Sequence, residues 1–412
     1  CFVKSKYQKI KGTFDILPPD TRLWREVEDI LHNISQQFSY EEIRTPTLES
    51  IHLFKQNVGY ETDVSKEMFE WEDLSNQHIA LKPEMTAPVV RAYIEGGFFR
   101  SNPLCRLYYI DSLFRREKPQ KGRQRQFHQF GIEAFGSSNI EQDIEVILLA
   151  NTSLSALSIN ETILHINNIG SPDTRKKYEE ILKKYFSQNL SALSNLSQKR
   201  LDNNPLRILD SKEEKDQSII NNAPIIKELL TDKEKENFGI LLSNLDTLNV
   251  KYEESPHLVR GLDYYNGTTF EITTQSDQSQ NALCGGGRYD FLVEQMGGPS
   301  TPAIGFAAGM ERMIMESKHQ AENKNIDIYL SSNDSENSTK CFSLINNLIE
   351  NDYRVFFDTN KKNVKNQIKD AGKKNASFII IIDDKMSIKN IKSNEELIFS
   401  NFEELLNFLK SQ

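Results

Sequence analysis

The densest basic cluster in the chain is Arg115-Arg116-Glu117-Lys118-Pro119-Gln120-Lys121-Gly122-Arg123-Gln124-Arg125. A charge run alone usually marks a solvated face. This one joins two strand-like stretches, 104–110 and 127–135, and the second alternates Gln129, Gly131 and Glu133 with Phe130, Ile132 and Ala134. Such alternation puts polar groups on one face of a sheet and apolar groups on the other. Guanidinium groups held beside a polar sheet face suit a phosphate, from a nucleotide or from a nucleic-acid backbone. Leu258-Val259-Arg260-Gly261-Leu262-Asp263-Tyr264-Tyr265 sets another arginine and two tyrosines in an apolar setting, readable as a ligand site or as a turn over core aromatics. Gly285-Gly286-Gly287-Arg288-Tyr289-Asp290 lets a backbone approach a ligand closely or makes a hairpin. It matches neither the P-loop nor the dinucleotide-binding glycine spacing. In Gly305-Phe306-Ala307-Ala308-Gly309-Met310-Glu311-Arg312 small residues let a strand pass tightly into a helix that carries Arg312.

The elements that must position these groups are legible around them. Leu23, Trp24, Val27, Ile30, Leu31, Ile34 and Phe38 share one face of a helix over 20–38, started by Pro18-Pro19-Asp20. An extended segment follows over 42–48, with Pro46 at an edge or interface because it cannot donate to a ladder. Residues 172–250 turn rich in Lys, Glu, Asn, Ser and Leu and read as a helical insertion. A strand pattern resumes over 267–274, and 322–325 reads as a linker. The remainder alternates strand and helix: 326–330, 340–350, 355–357, a basic helix over 361–374, the apolar strand 378–382 and a final helix over 402–409, a small α/β domain.

The whole chain has 412 residues, which at roughly 100–200 residues per domain predicts about two to four domains. With 38% hydrophobic and 26% charged residues it is an ordinary globular composition, neither disordered nor collagen-like. A formal net charge of -9 excludes a simple polycation but not a nucleic-acid partner, because binding depends on where basic residues cluster. Cys1, Cys105, Cys284 and Cys341 lie far apart, so neither a disulfide framework nor a zinc site is expected. No apolar run approaches a membrane span and the start shows no signal-peptide core, so no membrane partner and a reducing cytoplasm are expected. The chain begins at Cys1 instead of Met, which raises the expectation of a processed start.

Taken in order, the segment ending at Pro46, the strand-loop-strand beginning Phe114-Arg115-Arg116-Glu117, and the run from Gly305 to Arg312 resemble the three signature motifs of class II aminoacyl-tRNA synthetases. Leu258 to Tyr265 and Ala282-Leu283-Cys284-Gly285-Gly286-Gly287-Arg288-Tyr289-Asp290 are similar to segments specific to the histidyl-tRNA synthetase family. Lys11-Gly12-Thr13-Phe14-Asp15, Thr62-Asp63 followed by Lys66-Glu67-Met68, and Asn204-Pro205-Leu206-Arg207-Ile208-Leu209-Asp210 match the same family. The resemblance covers nearly the whole chain. It implies an α+β fold: a class II antiparallel-sheet catalytic domain over 1–171 and 251–321, interrupted by a helical insertion domain over 172–250, then an α/β anticodon-binding domain over 326–412.

The same resemblance implies a histidine–tRNA ligase: L-histidine and ATP give histidyl-adenylate and pyrophosphate, and histidine passes to the 3′ end of tRNA(His). Arg115 and Arg260 would face the α-phosphate and substrate carboxylate from two sides, and Arg312 would hold the terminal phosphates. Phe127 would stack on adenine with Glu117 near its amino group, and Mg²⁺ would sit on the pyrophosphate portion, with no protein metal site. Glu84, Thr86 and Gln129 would surround the α-amino group and Glu133 and Tyr265 would meet the imidazole nitrogens, with Met85 and Tyr264 also among the histidine-binding residues. Gln120 and Arg125 match positions that read the extra 5′ guanosine of this tRNA, and the insertion would contact the acceptor arm. Lys361, Lys362, Lys365, Lys369, Lys373 and Lys374 would attract the anticodon stem. A homodimer is implied, with the Pro46 region at its interface. Two departures stand out: Ser39 and Met85 occupy positions where many members have glycine. The stretch between Ile382 and Phe399 looks shortened. A non-catalytic regulatory paralogue and a tRNA-sensing module are the rival readings; the anticodon-like domain and the Arg260 to Tyr265 segment argue against the first, and intact Arg115, Arg260 and Arg312 against the second.

Overall fold

In the computed structural model, residues 6–57, 62–118, 123–274, 282–321, 325–332, 338–359, 363–382 and 386–411 are described. They fall into two compact units, Cys1–Ala321 and Glu322–Gln412.

The first unit is organised by an eight-stranded sheet in the order Glu41–Glu42, Cys105–Phe114, Gln126–Phe135, Ala303–Gly309, Ala282–Arg288, Asn266–Thr274, Thr162–Asn168, Tyr252–Glu254. The outermost pairing at each end is parallel, and every pairing between them is antiparallel. Phe130, Ile132 and Ala134 lie on its apolar face with Phe270, Ile272, Ile304 and Phe306, as their alternation requires. Two helices cover that face. Asp20–Gln37 buries Trp24, Val27, Leu31 and Ile34 there, and Ile140–Ala156 buries Val146, Ile147, Ala150 and Leu154. Each such fully buried side chain contributes roughly 1.5–3 kcal/mol. With one face sealed by helices, the other is left for the polar residues.

The helix Asp20–Gln37 ends through Ser39, which adopts φ 62, and the Tyr40 amide returns to the Ser35 carbonyl at 2.9 Å. This left-handed position just beyond a helix favours glycine, the residue the family resemblance leads one to expect there. Ser39→Gly is expected to raise stability by about 0.5–1 kcal/mol, read as a higher urea midpoint for the first unit. An unchanged or lower midpoint would contradict that account.

The helix-rich text over 172–250 divides in two. Pro172–Gln188, Asn195–Asn203, Leu206–Leu209 and Glu214–Ile220 share a core of Tyr178, Leu182, Phe186, Leu201, Leu206 and Ile219. Asp216 ties the last three of these together, accepting from Ser194 Oγ at 2.8 Å and from Ser197 Oγ and Ser211 Oγ at 2.5 Å each. The last helix, Asp232–Thr247, starts at a Thr231/Glu234 capping box and turns Phe238, Leu241 and Leu245 into the core behind the main sheet. Residues 232–247 therefore pack with the core behind the main sheet, although their composition groups them with the preceding helices.

The second unit has a five-stranded sheet in the order Val355–Phe357, Ile328–Ser332, Phe378–Ile382, Met386–Asn390, Glu396–Phe399. Its first three strands are parallel and the last two are antiparallel. The stretch expected to be shortened thus holds a hairpin. Its strands are short and rich in Ser, Lys, Asn and Glu, and Leu397 and Ile398 are exposed, so no buried alternation announces them. The basic helix begins at Val364, where the Asn363 side chain caps it by accepting from the Asn366 amide at 3.0 Å. Lys361 and Lys362 lie outside the described residues.

Candidate active site

A cavity of about 380 Å³ opens on the polar face of the main sheet. Glu84, Met85, Thr86, Arg115, Glu117, Phe127, Gln129, Glu133, Arg260, Tyr264, Tyr265 and Arg312 all line it, although they span more than 220 positions of the sequence. Gln120 lies outside the described residues. Arg125 sits apart from this cavity, beside Lys66, Glu67, Phe69 and Arg116.

Two buried carboxyls form the floor. Glu84 accepts from the amides of Thr86 and Ala87 at 2.9 Å each, at the N-terminus of the helix Thr86–Glu95. That end of a helix favours an anion, yet burial pushes the Glu84 carboxyl up to about 7. Glu133 stands in mid-strand opposite Gly305, where a Cβ would come within 2.0 Å of its Oε2, so the glycine makes room for the carboxylate. It accepts from Thr86 Oγ1 at 2.8 Å and from the Tyr289 hydroxyl. Burial pushes Glu133 up to about 8; those hydrogen bonds oppose the shift and the charge of Glu84 adds to it. Tyr264 and Tyr265 complete this wall with ring centroids 4.7 Å apart, and burial raises Tyr265 to about 12. Both phenols therefore stay protonated and able to donate near neutral pH.

Met85 buries its side chain toward Thr45, whose hydroxyl lies 3.8 Å from its sulfur. Its side chain is thereby engaged in the core.

Opposite the floor are the cations. Arg115 donates from Nε to the Pro83 carbonyl at 2.9 Å and lies 5.1 Å over the Phe127 ring. Arg260 donates from Nη1 to Glu271 Oε2 at 2.5 Å. A Cβ at Gly285 would fall 1.9 Å from its Nη2. The Gly285–Gly287 run is thus part of a strand, and what approaches its backbone at Gly285 is the Arg260 guanidinium. Arg288, in the same run, pairs with Asp143 at 2.8 Å with both nearly buried, away from the cavity. Arg312 donates to the Ala282 carbonyl at 2.6 Å, and Arg123 reaches Glu117 at 3.1 Å. Burial, then the nearby charge of Arg123, pulls Arg312 down from the usual arginine range. Cations that repel one another in an empty site are relieved by a polyanion.

Residues without an assigned role in the sequence reading are also here: Glu271 holding Arg260, Arg123 beside Glu117, Tyr289 on Glu133, and Arg207 and Asp210 from the insertion. Most lie within the quoted segments. Nothing in their spacing tells a ligand contact from a brace, because each acts on a partner 6 to 156 positions away.

An antiparallel sheet with helices behind it, opposed arginines and recessed carboxyls on its open face, and a separate α/β unit after it define a class II aminoacyl-tRNA synthetase. The family model of histidyl-tRNA synthetase matches residues 12–313, and that of the anticodon binding domain matches 327–412. The chain belongs to the histidyl-tRNA synthetase family. It is 42% identical over 406 residues to the chloroplastic histidine–tRNA ligase of Gracilaria tenuistipitata var. liui, covering 96% of each chain. It is 40% identical to the histidine–tRNA ligase of Streptococcus agalactiae serotype Ia, covering 95% of each. The crystal structure of apo S. aureus histidyl-tRNA synthetase superposes with a TM-score of 0.81 at 32% identity, covering 98% of this chain and all of that one.

Proposed function

We propose that this chain activates L-histidine with ATP and transfers the histidyl group to the 3′ end of tRNA(His). The observation that carries the reading is one cavity holding opposed arginines above two recessed carboxyls. The histidine carboxylate attacks the α-phosphorus, an O–P bond forms, and the bond to pyrophosphate breaks. Negative charge accumulates on the α-phosphate oxygens between Arg115 and Arg260, while Arg312 receives the terminal phosphates. Phe127 stacks on adenine, and Glu117 accepts from its amino group. Glu84, Thr86 and Gln129 hold the α-ammonium, with the main chain at Met85 beside them. Glu133, Tyr264 and Tyr265 line the imidazole end. A site that pairs both imidazole nitrogens rejects side chains lacking them without an editing step.

Magnesium fits as a companion of ATP: Glu117, Glu271 and Glu311 are engaged by Arg123, Arg260 and His128. Phosphate oxygens and water would then supply most of its ligands. The insertion meets the acceptor arm, Gln120 and Arg125 read the extra guanosine, and Lys365, Lys369, Lys373 and Lys374 attract the anticodon stem. We assign residues 1–171 and 251–321 to catalysis and 326–412 to the anticodon.

A homodimer and a cytoplasmic location belong to the same reading. Leu48, Phe69, Trp71, Ile79 and Leu81 share one face of a three-stranded sheet next to Pro46, with Leu48 50% and Trp71 43% exposed, which supports burial against a second copy. Sedimentation as a monomer at micromolar concentration would contradict it. The free thiols of Cys105, Cys284 and Cys341 suit a reducing compartment, and a tagged chain exported from the cell would count against that placement.

Pyrophosphate exchange into ATP with each amino acid in turn tests the whole assignment. Exchange with histidine alone is expected; exchange with another amino acid, or none, overturns it. The two carboxyls add a pH signature. Near neutrality the empty pocket retains part of their protons, and a bound α-ammonium favours ionised Glu84. A proton passing from Glu133 to the imidazole leaves the count unchanged, so release from Glu84 sets the sign. Histidine binding at pH 7 is expected to release on the order of half a proton or more. Calorimetry in buffers of different ionisation enthalpy reads this, and buffer-independent heats would refute it.

A further inference from the structure

The orientation of Arg260, Tyr264 and Tyr265 depends on a segment without regular structure: residues 255–265 form neither helix nor strand. The insertion supplies the hydrogen bonds that such a segment lacks. Arg207 donates from Nη2 to the Gly261 carbonyl, and its Nε lies 3.5 Å from Asp263 Oδ1. Asn204 Nδ2 donates to the same Asp263 oxygen at 3.0 Å. Arg175 Nη1 donates to the carbonyls of Asp263 and Tyr265 at 2.9 Å each. The grip thus falls between Arg260 on one side and the two tyrosines on the other. The Arg207 side chain is only 11% exposed, and it borders the cavity itself. Charge-assisted bonds to a partly buried carboxylate and to backbone carbonyls are the strong class of hydrogen bond, and the fork of a guanidinium fixes direction as well as distance.

We infer that Arg207, aided by Asn204, is a positioning residue for histidine activation: by holding Gly261 and Asp263 it keeps Arg260 and Tyr265 turned into the cavity. The inference rests on the proposed function for what the cavity binds, but the grip itself is geometric. The insertion is thereby part of the amino-acid site as well as a tRNA contact. The terminal-phosphate side of the cavity is held by other elements, since Arg312 is placed by its bond to Ala282. Loss of the grip therefore loosens histidine more than ATP.

The test is Arg207→Ala in the full chain. KM for histidine in pyrophosphate exchange should rise at least tenfold and kcat should fall, while KM for ATP stays within twofold. Asp263→Asn should give the same pattern, the double variant should be no worse than either single one, and Arg207→Lys should recover only part of the loss. Amide hydrogen exchange should accelerate at 258–265 in the unliganded variant while the sheet strands keep their protection. A histidine KM within twofold of wild type, or ATP and histidine constants rising together with general loss of protection, overturns the inference. If the wild-type chain shows no histidine-dependent exchange, the functional reading fails instead. The hydrogen-exchange comparison then decides the grip alone: faster exchange at 258–265 supports it and unchanged exchange refutes it.

Discussion

Arg260→Ala is expected to lower histidine-dependent pyrophosphate exchange by about 10²–10³-fold at saturating substrates, the usual loss when one donor to a developing oxyanion is removed. The fold should survive. Arg260 lies on the cavity wall, its partner Glu271 has a side chain 28% exposed, and water can take the place of the lost cation. The loss should appear in kcat, because the charge that Arg260 answers is greatest in the transition state. Arg260→Lys should restore little. An ammonium has its donors on a single nitrogen, so it cannot occupy both the Nη1 position on Glu271 and the Nη2 position beside Gly285. Normal exchange in the alanine variant would remove Arg260 from the mechanism.

Glu133→Gln should act on the other substrate constant. The amide keeps the volume and can still bond the Thr86 and Tyr289 hydroxyls, but it replaces a charged acceptor at the imidazole with a neutral group. KM for histidine should rise by about 10²-fold or more, the scale for a buried polar site that loses a charged partner. Stability should move the opposite way. The Glu133 carboxyl is raised to about 8 in the folded protein, so between roughly pH 4.5 and 8 the native state binds more protons than the unfolded one. The empty protein therefore loses stability as pH rises through that window. Glutamine has no proton to lose, so the variant should unfold at a higher urea concentration than wild type at pH 8, with the difference vanishing near pH 4. A variant that is less stable at pH 8, or that binds histidine normally, would show that Glu133 is a core brace and not part of the pocket. The two substitutions separate the jobs assigned to the two walls, one visible in kcat and the other in KM.

The alternation of Gln129, Gly131 and Glu133 with Phe130, Ile132 and Ala134 already carried the division of the sheet into a functional and a structural face, because side chains in a strand point to opposite sides. Helix Asp20–Gln37 was equally open to reading, since its apolar residues recur at helical spacing and Pro18-Pro19-Asp20 marks its start. The hairpin Met386–Phe399 is hidden because it closes one edge of the sheet and its strands bury too little to leave a pattern. Where the last helix of 172–250 packs is hidden for a related reason. Asp232–Thr247 resembles its helical neighbours in composition, and only its contacts show that Phe238, Leu241 and Leu245 face the other core.

By itself the sequence determined which chemical groups were present and, through motif order, that the arginines and carboxyls belonged to one family of sites. It also determined the local periodicities that make the strands and helices. Tertiary structure alone decided what each group touches. Gly285 is bare because Arg260 occupies the space, Gly305 because Glu133 does, and Arg207 reaches Gly261 across 54 positions of chain. Those relations depend on strand order and on the packing of an irregular loop against an insertion. Both are set by long-range contacts that no local spacing encodes.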